Sequence, residues 1–318
     1  MESENNSNTV KIYSCNYYLY GISFQYNKFS QNIILGVSSM ETSNNNIIKI
    51  LSINEGNNNS ENNFNEISTI KVEYPITQIE FSKNYNNLFA TTSDSLRIYS
   101  LSSKIIQNIE FKYNAPLTSL SWKNQNSSLI GFSSINSTVS INDINKEKEI
   151  NKLIANDKEC YKINFDENSS CFYTCGADGT IRLFDLRKIN KYNKIYESND
   201  NIIKIDINQS NNNYLSFITL NSNEINIIDL RNTNKIYKTL FYHNNSVNNC
   251  IWIPESDYCL LSVSDDKNAI FWNIQNLNGN EALMNYKSDY EIENCSFCYN
   301  KNWVGITNNK EFRLLKLK

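Results

Sequence analysis

Seven stretches of this chain share one apolar pattern: an apolar residue, a second three positions later, and a third two positions after that. In chain order the sets are Leu19/Ile22/Phe24, Ile76/Ile79/Phe81, Leu117/Leu120/Trp122, Cys160/Ile163/Phe165, Ile202/Ile205/Ile207, Val247/Cys250/Trp252 and Ile292/Cys295/Phe297. A second register runs in step with the first. Alternating runs are anchored on Leu51 (IKILSI), Tyr99 (LRIYSL), Asn142 (VSINDI), Phe184 (IRLFDL), Ile228 (INIIDL), Trp272 (AIFWNI) and Leu315 (FRLLKL). Successive anchors lie 48, 43, 42, 44, 44 and 43 residues apart. Chance alternation produces one or two such segments, not seven in phase. The chain is therefore an array of seven equivalent units, and its fold must stack them.

Each unit reads as four strands. In the third, LTSLSW is innermost, SLIGFSS second, TVSINDI third and EKEINKLI outermost, with Asn, Ser and Asp turns between them. A four-stranded unit repeating at this period predicts an all-β, seven-bladed β-propeller. The seventh unit stops after its third strand at Lys318, while TVKIYSC precedes the first innermost strand and has no unit of its own. The N-terminal strand is expected to complete the last blade and close the ring, leaving no open edge.

The expected organisation is a disordered polar tail over 1–8 and one propeller over 9–318, with a mobile polar insertion at 54–66. Glycine is scarce, 8 in 318 residues, and only the fourth unit keeps an Asp-Gly turn, in CGADGTIRLFDLRK (175–188). INST (135–138) and LNSN (220–223) fill the corresponding place, with Asn expected to take over the positive-φ seat.

The endings LFDLR, IIDLR and IFWNI after tight turns resemble the WD40 repeat. The sixth copy is the fullest. His243 stands where that family has the His of its Gly-His pair, Asp266 lies in the tight turn and Trp272 ends the strand. The resemblance implies a structural network of His243, Asp266 and Trp272, completed by Ser262 or Ser264; elsewhere packing is expected to hold the blades. APLTSLSW, ANDKECYKINF, HNNSVNNCIWIPES and SDDKNAIFWNIQ, with EIENCSF…NWVGITNN in the closing unit, resemble the Transparent Testa Glabra type of WD-repeat protein, with its animal counterparts and the plant light-regulated WD proteins.

Chemistry is hard to build from these residues. The chain has one His, so any Ser-His-Asp or Cys-His catalytic pair would have to use His243, which is read as holding a turn. Cys295 and Cys298 form a CxxC whose two side chains should face opposite ways along a strand. Cys171 and Cys175 share a face but lie about 13 Å apart along an extended strand, too far to chelate one ion. No phosphate-binding loop or His-Glu-x-x-His motif is present. No enzyme activity, metal or cofactor is expected.

Lys and Arg number 30 against 33 Asp and Glu, a net charge of −3, with both signs interspersed. No basic stripe points to nucleic acid. MESENNSNTVK lacks an apolar signal core and no 18-residue apolar run occurs, so no membrane span is expected, the cysteines are read as reduced, and the setting as cytoplasm and nucleus.

What remains is protein recognition. The family-matching residues that lead into the innermost strands are Tyr20, Thr118, Ser119, Glu159, Tyr161, Asn248 and Asn249, expected on the top rim and channel. The leading expectation is a non-enzymatic scaffold; the resemblance implies DYRK-type protein kinases and MYB or basic helix-loop-helix regulators as partners. The alternative rests on Asp185/Arg187 and Asp229/Arg231. They resemble the W-D-x-R ending with which WD-repeat substrate receptors dock the adaptor of a cullin-based ubiquitin ligase. Without that role, each Asp pairs locally and each Arg is a solvated charge.

Overall fold

The computed structural model describes residues 10–26, 32–54, 64–102, 106–124, 128–275, 282–299 and 301–317. Its strands form seven four-stranded antiparallel sheets. The innermost strands are Leu19–Phe24, Gln78–Phe81, Leu117–Trp122, Cys160–Phe165, Ile202–Ile207, Val247–Trp252 and Asn294–Cys298. Each touches the next and the seventh touches the first, so the sheets radiate as blades from a closed ring. Val10–Ser14 pairs antiparallel with Glu311–Lys316 as the outer strand of blade 7. Tyr13 stacks on Phe312 with ring centroids 5.2 Å apart, clasping the two ends of the chain together. The chain is the seven-bladed propeller its repeats predict.

The apolar triplets are the blade interfaces. None of their residues is more than 7% exposed, and the seven anchors of the third strands stay within 5%. The buried residues fall into seven clusters, each joining two neighbouring blades. Blade 1 meets blade 7 through Leu19, Phe24, Trp303 and Phe312. Blade 5 meets blade 6 through Tyr214, Trp252 and Trp272. Burying one such side chain stabilises by roughly 1.5–3 kcal/mol, which is why a blade with two apolar faces holds only when sandwiched between neighbours.

The spacing within each triplet has a specific cause. Strict alternation would put inward residues two apart, yet the first step is three. In five innermost strands the pairing register slips between the first and third residues: Leu19/Gly21, Leu117/Ser119, Cys160/Lys162, Ile202/Lys204 and Val247/Asn249. The skipped residue is a β-bulge, which restores the inward phase and re-aims its own side chain.

Turn chemistry departs from expectation in part. Gly179 has φ 70°, and at the same place Ser137 has φ 68° and Lys267 φ 69°, while the Asn residues with positive φ are Asn221 and Asn309. Ser and Lys therefore share the seat expected for Asn. The carbonyls of Ser137, Gly179 and Lys267 each accept a backbone N–H, from Ala155, Ser198 and Ser288 respectively. That bond helps offset the left-handed cost of about 1–2 kcal/mol. The expected tail 1–8 and most of the 54–66 insertion lie outside the described residues; Asn54 and residues 64–66 belong to strands.

Candidate functional site

The bulges create the upper mouth of the channel. Tyr20, Thr118, Tyr161 and Asn248 are the skipped residues of blades 1, 3, 4 and 6. Their side chains divide into two uses. Thr118 Oγ1 donates to the carbonyl of Cys160 in the next blade at 2.7 Å, and Asn248 Nδ2 donates to the carbonyl of Ile292 at 2.9 Å. Thr77, at the same position in blade 2, donates to the carbonyl of Leu117 at 2.9 Å. These are staples between blades. Ser119 is 2% exposed, lies 2.9 Å from the Ser133 hydroxyl and accepts from the Ile163 N–H, so it lies beneath the rim rather than on it. Asn249 is 8% exposed and its amide donates to Asn294 inside the channel.

Tyr20, Glu159 and Tyr161 keep accessible surface. Glu159 is exposed, and Tyr20 and Tyr161 are half-buried. Burial, and then the nearby Glu159 charge, push the Tyr161 hydroxyl pKa up. The backbone beneath is tightly built: the Glu159 carbonyl accepts the Ala177 N–H at 2.9 Å. A phenol beside an exposed carboxylate offers an aromatic face and a charge together, a combination suited to contacting a peptide.

Blade 6 holds the network that the resemblance implied, and Ser262 rather than Ser264 completes it. His243 Nδ1 lies 2.8 Å from Asp266 Oδ2, His243 Nε2 lies 2.7 Å from Ser262 Oγ, and Trp272 Nε1 donates to the same hydroxyl at 2.8 Å. Ser264 instead donates to the Asn245 carbonyl at 3.1 Å. Burial alone would raise the Asp266 carboxyl; the bond to His243, its charge and the N–H groups of Asn244 and Asn268 outweigh this and hold it at about 2. His243 is 3% exposed, its ring wholly engaged in the turn.

The other blades are not held by packing alone, a correction to the sequence reading. Asn156 occupies the His243 position in blade 4 and donates to Asp178 Oδ1 at 3.0 Å. Arg182, with a 4% exposed side chain, pairs with Asp178 at 3.0 Å and Asp157 at 2.6 Å. Arg97 of blade 2 and Arg313 of blade 7 stand at the same third-strand position and pair with Asp94 and Asp289. An Arg two residues before the anchor, with an acid in an adjoining turn or connection, was the available signal.

Asp185/Arg187 and Asp229/Arg231 lie on the opposite face, where the third strands end. Asp185 accepts the Arg187 N–H at 2.9 Å and Asp229 the Arg231 N–H at 3.0 Å. Asp143 and Asn273 make the same turn in blades 3 and 6, so the acid is turn chemistry first. The Arg187 and Arg231 side chains are 75% and 61% exposed, each held at 2.6 Å by its own Asp. They sit on adjacent blades and face solvent together.

The channel itself carries charge that the sequence reading passed over. Lys162 and Lys204 line it at the third inner position, with Glu80 and Asp206 two residues further along their strands. Burial raises the Glu80 carboxyl, opposed by Lys162, and pushes Asp206 up to about 6, opposed by the Trp252 N–H and Asn164. At the far end Lys83 pairs with Glu167 at 2.5 Å and lies 4.4 Å from the Tyr299 ring centroid. All eight cysteines are free; Cys295 and Cys298 point into different blade interfaces. Among the described residues no group of three or more His, Cys, Asp or Glu could hold a metal, and no helix is long and apolar enough to cross a membrane.

Two segments, residues 147–185 and 234–273, match the repeat family described as "WD domain, G-beta repeat". Each match runs from an outer strand through the third strand of the next blade. Over 325 aligned residues the chain is 28% identical to the DDB1- and CUL4-associated factor 7 homolog of Dictyostelium discoideum, covering 97% of this chain and 98% of that protein. It is 26% identical over 277 residues to an uncharacterized WD repeat-containing protein of Schizosaccharomyces pombe, covering 76% of this chain and 64% of the relative. A WD repeat-containing protein of Saccharomyces cerevisiae is 27% identical over 251 residues, 64% of this chain and 48% of the relative.

Proposed function

We propose that this seven-bladed β-propeller, two segments of which match the WD-domain repeat, is a non-enzymatic scaffold holding segments of partner proteins at its upper mouth. The division of labour around that mouth carries the reading. Thr118, Ser119, Asn248 and Asn249 are consumed in bonds within and between blades, which stiffens the platform. Tyr20, Glu159 and Tyr161 keep accessible surface on it. By its resemblance to the Transparent Testa Glabra type, the partners are DYRK-type kinases and MYB or basic helix-loop-helix regulators, met in cytoplasm and nucleus. No cofactor, metal, membrane or nucleic acid is needed. Affinity purification tests the reading: the parent protein should recover a kinase or a regulator, and a Glu159→Ala/Tyr161→Ala variant should lose at least one of them. Recovery of neither by the parent would overturn it.

A second reading has its own observation. Arg187 and Arg231 are exposed on neighbouring blades, each oriented by its Asp, and the Dictyostelium relative is named as a DDB1- and CUL4-associated factor. As a substrate receptor, the chain would dock a cullin-ligase adaptor with this face while the upper mouth holds the substrate. Arg187→Ala with Arg231→Ala should then abolish adaptor co-purification and leave the fold intact; unchanged recovery removes this reading.

A further inference from the structure

We propose that the axial cavity is a binding site for a small oxyanion, a phosphate- or carboxylate-bearing molecule held between the ammonium groups of Lys162 and Lys204. The cavity measures about 430 Å³, within the range of small-molecule sites. Both lysines line it from adjacent blades, each immediately after a bulge. Their donors are in surplus. Lys162 Nζ donates to Gln78 Oε1 at 2.9 Å, one bond for three protons. Among the described residues Lys204 Nζ has no hydrogen-bond partner, and neither ammonium lies within ion-pair distance of a carboxylate.

Four acids also line the cavity: Glu167 pairs with Lys83, Glu255 is exposed, and Glu80 and Asp206 act on Lys162 through space while their hydrogen bonds go to other groups. Glu80 accepts from Gln78 Nε2 at 2.9 Å, and Asp206 accepts from Asn164 at 2.9 Å and from the Trp252 N–H at 2.8 Å. Burial, and then the like charge of Lys204, lower the Lys162 pKa, which an anion between them would relieve. Two half-buried cations sharing one space with unmet donors form the donor set of a charge-assisted oxyanion site. This inference does not depend on the scaffold reading.

Isothermal titration calorimetry of the full chain with pyrophosphate, at constant ionic strength, tests it. The expected result is saturable binding that weakens about tenfold or more in Lys204→Met and in Lys162→Met, roughly one charge-assisted bond each. Lys146→Met, on the outer surface with a 74% exposed side chain, should bind like the parent. If the channel variants fail to fold, Glu80→Gln supplies the test: removing a negative charge from the cavity should tighten binding. Absence of saturable binding to the parent, equal binding by the Lys204 variant, or weaker binding by Glu80→Gln would each overturn the proposal.

Discussion

The hydroxyl of Thr118 donates to the carbonyl of Cys160 across 2.7 Å, joining the innermost strands of blades 3 and 4. The residue therefore works for the ring rather than for a partner. Thr118→Val keeps the shape and removes the donor, and should cost about 0.5–1.5 kcal/mol in urea unfolding. Partner recovery by the folded variant should match the parent. A variant of full stability that lost its partners would contradict the division drawn at the upper mouth.

Ser262 is the hub of blade 6, since its removal leaves both His243 Nε2 and Trp272 Nε1 buried without a partner. Ser262→Ala should cost about 2–3 kcal/mol. Trp272→Phe added to it should cost less than the sum of the two single changes, because the network is already broken. Strict additivity in a double-mutant cycle would show that the hydroxyl does not couple them.

The two kinds of buried acid give opposite pH signatures. Asp266 is held at about 2, below its unfolded value, so its stabilisation is complete above about pH 4 and is lost as pH falls toward 2. Asp266→Asn should be less stable than the parent at pH 6, and the gap should close on acidification. Glu80 is raised by burial, so its contribution is present below the usual carboxylate range and is lost as pH rises through its folded value. Glu80→Gln should therefore flatten the decline of stability toward neutral pH. Urea midpoints across pH would show both trends, and parallel curves for parent and variants would refute them.

Gly305 leaves room for the neighbouring blade. A Cβ there would lie 2.4 Å from Ile22 Cδ1 and 2.9 Å from Phe24 Cζ, across the interface that closes the ring. Gly305→Ala should cost about 1–3 kcal/mol by overpacking. Ile22→Val, which removes the nearer methyl, should recover part of that loss; no recovery would place the strain elsewhere.

Much of the fold was legible because it is written seven times. The triplets such as Cys160/Ile163/Phe165 locate every blade interface, and the missing outer strand after Leu315 pointed to Val10–Ser14 as the closure. The bulge was also encoded, in the three-residue first step of each triplet, but that signal is visible only once strand pairing is considered. The site was less legible. Thr118 and Tyr161 hold the same repeat position, yet one bonds a neighbouring carbonyl and the other keeps surface; short and long side chains reach different things from one backbone seat. The place of Arg182 in its turn network and of Lys162 on the axis depends on the closed ring, which no single strand encodes.

In the function proposed above, the upper mouth, not the Arg-bearing face, gathers kinases and transcription regulators. Proximity labelling followed by mass spectrometry tests it most directly, with three forms of the chain compared: parent, Tyr20→Ala/Glu159→Ala/Tyr161→Ala, and Arg187→Ala/Arg231→Ala. The scaffold account predicts that the first set of changes removes kinases and regulators from the labelled proteins while the second leaves them in place. Labelling of those partners that is indifferent to the upper-mouth changes, or absent from the parent, would contradict it.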